Sequence, residues 1–294
     1  MACDVIHDLT ALSARVRPWL RAGERIALVP TMGALHEGHL ALIRHGKQIA
    51  DRCIVSIYVN PKQFAPSEDF ETYPRTFETD RITAERAGAG LIWAPNTTTM
   101  YPDGFTTSVV LQGPALGLES ETRPHFFTGV ATVCTKLFLQ TTPHIAIFGE
   151  KDFQQLAVIR TIVRDLNIDL TIVGHETIRE ADGLARSSRN AYLSPKHRQI
   201  APLMYQTLQD TATAVARHER IEIIEKAAVR RLLDGGFESV DYVKIRDPET
   251  LAPANRDAFR AGGDLRILAA ATLGETRLID NVSVRFETKK NTPR

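Results

Sequence analysis

Short apolar runs alternate with amphipathic stretches over about the first 175 residues. The apolar runs, several of them rich in β-branched residues, predict strands at Ile26–Val29, Cys53–Val59, Leu91–Ala94, His144–Phe148 and Leu170–Val173. Helical spacing of apolar positions predicts helices at Glu37–Ala50, Phe77–Ala87, Val130–Leu139 and Gln155–Asp165. This alternation predicts an α/β domain with a Rossmann-like parallel sheet and right-handed crossovers. Ligands of such sheets bind at the carboxyl ends of the strands, where the strand order reverses.

The pattern changes near Pro195. Helical spacing predicts helices at Lys196–Ala216 and Ile221–Leu233. Three strand-like segments follow, with glycine turns at Gly235-Gly236 and Gly262-Gly263: Val240–Ile245, Leu265–Ala271 and Arg277–Arg285. We therefore expect a smaller α+β domain at residues 186–294, after a Rossmann-like domain at residues 1–185.

Charge and length narrow the classes of function. The chain has 294 residues, with 36 basic and 35 acidic side chains and a formal net charge of +1. Nucleic-acid binders usually carry a basic excess, because neutralising phosphates supplies most of their affinity. Near-neutrality disfavours that class, whereas a few local cations are enough to hold a small anionic substrate. No stretch approaches the ~20 apolar residues of a membrane span, and the N-terminus lacks an apolar signal core. We expect a cytoplasmic protein without a membrane or nucleic-acid partner.

The cysteines do not indicate a metal or disulfide framework. Cys3, Cys53 and Cys134 are far apart, odd in number and form no CxxC pair. Cys53 and Cys134 lie in apolar stretches, so we predict buried thiols rather than nucleophiles.

The first candidate site is the segment Pro30-Thr-Met-Gly-Ala-Leu-His36-Glu-Gly-His39. A predicted strand ends at Pro30 and a predicted helix begins near Glu37. Two imidazoles and several backbone N–H groups thus meet at a helix N-terminus, which favours an anion. The segment contains neither a Walker A loop nor a GxGxxG turn. The alternative is a solvated helix start, but the strand-to-helix position favours phosphate binding.

Two further segments repeat this logic. Phe148-Gly-Glu-Lys151-Asp152-Phe-Gln-Gln155 follows another predicted strand, where Lys151 could neutralise phosphates and Asp152 could hold a metal or a ribose hydroxyl. Asp182-Gly-Leu-Ala-Arg186-Ser187-Ser188-Arg189-Asn190 offers hydroxyls and guanidinium groups that suit phosphate oxygens. A capped charged loop and a ligand-free serine turn remain the alternatives.

Two other polar residues bear on the same crevice. Gln63 lies just past the second predicted strand and would face the crevice. His125 stands beside two phenylalanines and is less well placed by topology, so a structural role is favoured for it.

Taken together, these segments resemble the characteristic blocks of a known protein family. PTMGALHEGHL, YVNPKQF, HFFTGV, GEKDFQQL and DGLARSSRNAYLS resemble the signature blocks of the pantothenate synthetase family, in the expected order over nearly the full chain. VDYVKIRD and RLIDN are similar to the C-terminal domain of that family, which acts as a lid. His36-Glu-Gly-His39 has the form of the HIGH motif of the nucleotidyltransferase superfamily, which includes the class I aminoacyl-tRNA synthetases. The segment Ser187–Arg189 occupies the place of their KMSKS loop.

The resemblance implies residue roles. It implies ATP binding by Met32, Gly33, Ala34, Leu35, His36, Glu37, Gly38, His39, Gly149, Glu150, Lys151, Asp152, Ile178, Arg186, Ser187, Ser188 and Arg189. Within this set it implies catalytic roles for His36, His39, Lys151 and Arg189, with His39 as the catalytic acid. It implies that Gln63 and Gln155 hydrogen-bond pantoate. Arg186 departs from the family pattern, which usually has an apolar residue such as Leu or Met here; its side chain could simply point outward.

The implied reaction joins pantoate to β-alanine through a pantoyl adenylate, with ATP and Mg²⁺, in a homodimer; the metal ligands stay open. A nucleotidyltransferase that stops after nucleotidyl transfer is the near alternative, and the paired glutamines and the SSRN loop argue against it. A nonenzymatic nucleotide- or nucleic-acid-binding module is the alternative from another class. Near-zero net charge and the lack of an aromatic-basic stripe in the sequence disfavour that module.

Overall fold

The computed structural model describes residues 3–65, 68, 70–217, 219–254 and 264–284. These residues form two compact units. The first unit comprises Met1–Glu150 and Gln154–Ile178, and the second comprises Lys151–Phe153 and Arg179–Arg294. The division after Ile178 lies a few residues before the predicted boundary at 185. The sequence pattern gives no sign that Lys151–Phe153 groups with the second unit.

The first unit is built on a six-stranded sheet in which every pairing is parallel. Its strands are β1 (Asp4–Ile6), β2 (Ile26–Thr31), β3 (Arg52–Ile57), β4 (Leu91–Trp93), β5 (Ile145–Gly149) and β6 (Thr171–His175). Its helices are α1 (Leu9–Arg21), α2 (Glu37–Ile49), α3 (Phe77–Ala87), α4 (Thr97–Met100), α5 (Glu119–Thr122), α6 (Phe126–Thr141) and α7 (Phe153–Asp165). The predicted strands and helices of this half are all present, with ends shifted by a few residues, and the parallel sheet is confirmed.

The strand order is β1-β4-β3-β2-β5-β6. The chain moves outward from β2 through β3 to β4, returns to β5 on the other side of β2, and continues to β6. The order therefore reverses between β2 and β5, where Ala27 pairs with Ile145. Crevices at such reversal points, beyond the carboxyl ends of the strands, are where open α/β sheets bind ligands.

The burial of the central strands explains why their apolar runs could be recognised in the sequence. Residues Ile26–Val29 are fully buried, because helices cover a parallel sheet on both faces. Helix α2 packs against this sheet through Leu42, Ile43 and Gly46. A Cβ at Gly46 would stand 3.1 Å from both Cys53 Sγ and Ile147 Cδ1, so glycine lets the helix come close to the sheet.

Several elements of the first unit, among them β1, α1, α4 and α5, were not predicted from the sequence. Helix α1 was not predicted, although its buried residues Leu12, Val16 and Trp19 have helical spacing. Pro18 lies inside α1, and such an interior proline normally indicates a helix break. The predicted helix Val130–Leu139 is also longer and begins at Phe126.

The second unit is a smaller α+β structure, as predicted. Its antiparallel sheet has the order β7 (Ser239–Arg246), β8 (Leu265–Leu273) and β9 (Thr276–Val284). Its helices are α8 (Pro195–Ile200), α9 (Leu203–Ala216) and α10 (Ile221–Asp234), which pack an apolar core against the sheet. The glycine turn predicted at Gly262-Gly263 and the strand end at Arg285 lie outside the described residues.

One helix prediction was wrong. The spacing predicts a single helix over Lys196–Ala216, but α8 ends at Ile200 and α9 begins at Leu203. Pro202 stands between them as the residue before α9. Proline has no backbone N–H to donate to the preceding turn, and its ring clashes with the carbonyl four residues back, so the helix breaks there.

Candidate active site

A buried carboxylate fixes the backbone of the turn after β2 through hydrogen bonds. Gly33 and Ala34 have φ angles of 83° and 49°, a conformation that favours glycine at the first position. Asp80, only 2% exposed in the first turn of α3, accepts hydrogen bonds from Ala34 N at 3.0 Å and from Leu35 N at 2.7 Å. Sequence reasoning missed Asp80. Its only sequence signal was an acidic residue near a predicted helix start.

His36 and His39 form a reciprocal cap at the start of α2. The Nδ1 atom of His36 accepts from Gly38 N at 3.2 Å, and Nδ1 of His39 accepts from His36 N at 3.3 Å. Their ring centroids are 4.1 Å apart. Because each Nδ1 accepts a backbone N–H, each neutral ring carries its proton on Nε2. The cap therefore makes Nε2 the donor atom of each ring, at a helix N-terminus.

Gln63 is oriented by a buried asparagine. Asn60, 1% exposed, follows β3 and caps a single 3₁₀ turn, Pro61–Gln63. Its Nδ2 donates to Gln63 Oε1 at 3.1 Å and to the Gly129 carbonyl at 3.2 Å, and its Oδ1 accepts from Tyr101 Oη at 2.8 Å. Because Gln63 Oε1 accepts from Asn60, the amide is fixed with Nε2 as its donor atom, and Nε2 donates to Met32 Sδ at 3.0 Å.

A second clamp holds the backbone of the same turn. Arg123 donates through Nη2 to the Gln63 carbonyl at 3.3 Å and to Glu68 Oε2 at 2.7 Å. Gly129 on α6 lies so close that a Cβ there would overlap the Lys62 carbonyl. The sequence made Gln63 a candidate site residue but gave no sign of the contacts that hold it. His125, for which the sequence favours a structural role, is exposed at the N-terminus of α6 and makes no side-chain cap.

The glutamines after β5 differ in environment. Gln154 is buried; it donates to the carbonyls of Pro114 and Gly117 and accepts from Glu119 N. It therefore fixes a loop of the first unit. Gln155 is half-buried. Of the two amides, Gln155 is the less enclosed, and its assignment to pantoate stays a prediction.

Gly149 ends β5, and Glu150 begins a short 3₁₀ turn that runs to Asp152. Because β5 neighbours β2, which in turn neighbours β3, the positions of Gly149, Met32–His39 and Gln63 follow three adjacent strands at one edge of the sheet. Ile178 is the last residue of the first unit. This edge is the one at which the sequence predicts a ligand crevice.

The remaining predicted residues belong to the second unit. Lys151 Nζ lies 3.7 Å from Asp152 Oδ1, and the Asp152 side chain is half exposed. The loop after Arg179 is tied down locally, since Ser187 Oγ accepts from Arg189 N at 3.3 Å and begins the 3₁₀ turn Ser188–Tyr192. The guanidinium of Arg186 donates to Glu180 Oε2 at 3.0 Å.

The described residues contain no group of three or more His, Cys, Asp or Glu side chains that could hold a metal ion. No helix among them is long and apolar enough to cross a bilayer. Cys53 and Cys134 are buried, as predicted, and burial raises the pKa of each thiol to about 12. Thiols with so high a pKa stay protonated at neutral pH and are poor nucleophiles.

Known proteins of one family match this chain over nearly its whole length. The family model for pantoate-β-alanine ligase matches residues 4–283. A pantothenate synthetase from Mesorhizobium japonicum is 52% identical over 281 residues, covering 96% of this chain and 98% of the relative. The crystal structure of pantothenate synthetase from Thermus thermophilus superposes with a TM-score of 0.88 at 41% identity, covering 96% of this chain and 99% of that one.

A third relative is a ligand complex. The pantoate-β-alanine ligase from Francisella tularensis, solved with a β-γ ATP ligand and β-alanine, superposes with a TM-score of 0.80 at 30% identity, covering 96% of this chain and 97% of that one. The family model matches almost every residue, and the relatives are similar over nearly their full length. The chain belongs to the pantoate-β-alanine ligase family.

Proposed function

We propose that the protein condenses pantoate with β-alanine to give pantothenate, AMP and pyrophosphate, through a pantoyl adenylate. One geometric observation carries the proposal: two imidazole Nε2–H donors stand at the N-terminus of α2, beside the strand-order reversal between β2 and β5. Donors at such a position favour phosphate groups. Family membership supplies the identity of the substrates, and the Francisella tularensis relative was solved with a β-γ ATP ligand and β-alanine.

The chemistry explains why ATP is needed. A carboxylate is a poor acyl donor because its leaving group would be oxide. When a pantoate carboxylate oxygen attacks the α-phosphorus of ATP, a mixed anhydride forms and the bond to pyrophosphate breaks. The neutral amine of β-alanine then attacks the acyl carbon, the nitrogen loses one proton to water, and AMP leaves with the bonding electron pair. The first step places an anion against a polyanion, so donors and cations must offset the charge that moves to pyrophosphate.

The residues are assigned accordingly. His36 and His39 donate to phosphate oxygens through Nε2, with His39 as the catalytic acid, and Lys151 and Arg189 supply positive charge. The rest of the ATP contacts are assigned, as the resemblance implies, to Met32–Leu35, Glu37, Gly38, Gly149, Glu150, Asp152, Ile178 and Arg186–Ser188. The loop that carries Ser187–Arg189 shields the anhydride from water.

The pantoate site is assigned to Gln63 and Gln155. Since Asn60 occupies Gln63 Oε1, the group that Gln63 offers to a ligand is its Nε2 amide donor. A donor of this kind suits the carboxylate and hydroxyl oxygens of pantoate. The half-buried amide of Gln155 provides a second hydrogen-bonding group.

The described side chains are consistent with Mg²⁺ that is carried by ATP. Magnesium in nucleotide sites is usually held by phosphate oxygens and waters with one or two carboxylates, not by a protein cage. Asp152 provides one half-exposed carboxylate, next to Lys151. Bound with ATP, Mg²⁺ supplies positive charge against the developing charge on pyrophosphate.

Isotope exchange tests the proposed function. If pantoyl adenylate forms first and reversibly, the enzyme exchanges labelled pyrophosphate into ATP with only Mg²⁺ and pantoate added. β-Alanine then triggers release of AMP and pantothenate in equal amounts. An enzyme that phosphorylates pantoate would release ADP, and one that stops at nucleotidyl transfer would ignore β-alanine. Exchange that strictly requires β-alanine would rule out the sequential mechanism.

Position 186 gives a second prediction. The guanidinium of Arg186 is engaged by Glu180 of the same unit, so we expect the backbone rather than the side chain to serve the nucleotide. Arg186→Leu should therefore leave the Kd for ATP within about twofold of the unchanged protein, as measured by calorimetry. A roughly tenfold weakening, or ~1.4 kcal/mol, would instead assign the guanidinium to a phosphate.

We also propose a homodimer, as the family resemblance implies, and, from the charge and apolar patterning of the sequence, a cytoplasmic protein without a membrane or nucleic-acid partner. Light scattering of the purified protein reports the dimer directly, and an electrophoretic shift assay at modest salt tests the absence of nucleic-acid binding.

A further inference from the structure

The motif RLIDN, at residues 277–281, buries two polar side chains in β9. Asp280 and Asn281 are 4% and 2% exposed. Buried polar groups destabilise a fold unless they are hydrogen-bonded, so such groups are normally paired. The partners of this pair show what the motif holds in place.

Asn281 reaches across 130 residues of sequence to the backbone of Lys151. Its Nδ2 donates to the Lys151 carbonyl at 2.8 Å, and its Oδ1 accepts from Arg266 Nε at 2.6 Å. These two bonds leave the amide one orientation, because a flipped amide would point its NH₂ group at the guanidinium and its oxygen at the carbonyl.

The other members of the network make Asn281 rigid. Arg179 forms two hydrogen bonds to Asp280, at 2.6 Å and 3.0 Å, and donates to the Asn281 carbonyl at 3.3 Å. Asp280 Oδ1 in turn accepts from Asn281 N at 2.7 Å. Arg266 stacks over the Phe153 ring at 4.0 Å, two residues after Lys151. The network thus holds the segment Lys151–Phe153 at its first residue and at its last.

We propose that Asn281 is a positioning residue for adenylation, which fixes the backbone of Lys151 so that its ammonium group is held ready for the phosphates of ATP. The inference rests on the proposed function, which assigns Lys151 to those phosphates. A purely structural role for Asn281 would stabilise the second unit and leave the chemistry of the folded protein unchanged. The two roles differ in what a substitution does once the protein is folded.

Asn281→Asp is the test variant, because it has nearly the same shape. It keeps an oxygen for Arg266 but replaces the donor to Lys151 with a carboxylate oxygen, which repels the carbonyl. The measured quantity is pyrophosphate exchange per folded molecule at saturating ATP and pantoate. We expect a loss of about tenfold or more, the size expected when one buried hydrogen bond is replaced by a repulsive contact. Asn281→Ser, which adds no charge, serves as the second variant if the first does not fold.

A double-mutant cycle separates positioning from stability. If Asn281 acts through Lys151, then Asn281→Asp should cost less than about twofold when it is added to Lys151→Ala. Leu278→Ala, a buried position of the same strand, is the matched control. It should lower the Tm and leave exchange per folded molecule unchanged. An Asn281→Asp protein with normal exchange, or an equal loss in the Lys151→Ala background, overturns the proposal.

Direct ATP binding keeps this test separate from that of the proposed function. If the unchanged protein binds ATP but exchanges no pyrophosphate, the proposed reaction fails while the positioning of Lys151 can still be measured. The positioning role then requires that Asn281→Asp and Lys151→Ala each weaken the binding of ATP more than the binding of adenosine, as measured by calorimetry. The loss of ATP affinity in the double variant should be smaller than the sum of the two single losses. Equal weakening of both ligands, or additive losses, overturns it.

Discussion

His39→Asn should lower the rate of pantoyl-adenylate formation by about 10²–10⁴-fold, the range typical for loss of a group that donates in the transition state. Asparagine places its side-chain oxygen near the position of Nδ1, so it can still accept the backbone N–H of His36 that His39 accepts at 3.3 Å. What it lacks is the Nε2–H donor. The fall should be in kcat more than in the KM for ATP, because the lost contact strengthens in the transition state.

His39→Ala should lose the same activity and, in addition, the cap acceptor. We expect about 1 kcal/mol less stability for it than for His39→Asn, the usual net contribution of one hydrogen bond. His144→Asn is a matched control, because that imidazole accepts from Ile26 N at the opposite, amino-terminal edge of the sheet. It should retain adenylation. Near-normal turnover by a folded His39→Asn protein would contradict the assignment of His39.

The strands of the first unit could be predicted because burial on both faces gives them an unusual composition. Every residue of Ile26–Val29 is apolar, because neither face of this strand is exposed to solvent. Such a continuous apolar run is easy to recognise in the sequence. Helix α1 has helical apolar spacing at Leu12, Val16 and Trp19, but it also contains Pro18, a residue that normally indicates a helix break. Pro202 has the opposite effect, because the apolar spacing continues across it while the backbone hydrogen bonds cannot.

The residues to which the family pattern assigns ligand contacts could be named from the sequence, whereas the residues that hold them in place could not. Asp80, Asn60 and Asn281 hold the turn after β2, the Gln63 amide and the Lys151 carbonyl, respectively. Apart from Asn60, their partners lie far away in the sequence. Hydrophobic periodicity reports which face of an element is buried, but it does not report which buried polar group meets which backbone atom.

The adjacent glutamines illustrate the same limit at short range. Gln154 and Gln155 are identical in type and consecutive in sequence, yet one is buried among loop carbonyls and the other is half-buried. Successive residues of a helix project about 100° apart, so a single position decides which face each occupies. The family resemblance selected Gln155, and the structure shows why Gln154 is unsuited: its amide is already engaged at both ends.

Lys151→Ala should raise the barrier to adenylation by about 2–4 kcal/mol, or roughly 30- to 1000-fold in rate, the effect of one lost charge-stabilising donor. The free energy of unfolding should barely change. The Lys151 ammonium lies 3.7 Å from the carboxylate of the half-exposed Asp152, and ion pairs of this kind contribute ~0–1 kcal/mol. Pyrophosphate exchange measures the loss, and thermal unfolding measures the stability.

Lys244→Ala is the matched control for this prediction. Lys244 lies in the same unit and pairs with Glu225 at 2.9 Å, so its removal takes away a lysine and an ion pair without touching the Lys151–Phe153 segment. Exchange should then persist. Lys151→Arg should recover part of the rate, because the charge returns on a longer, planar group that does not reproduce the geometry of the ammonium. A Lys151→Ala protein that unfolds early but keeps its exchange rate in the cold would show that Lys151 stabilises the fold and leaves the phosphates alone.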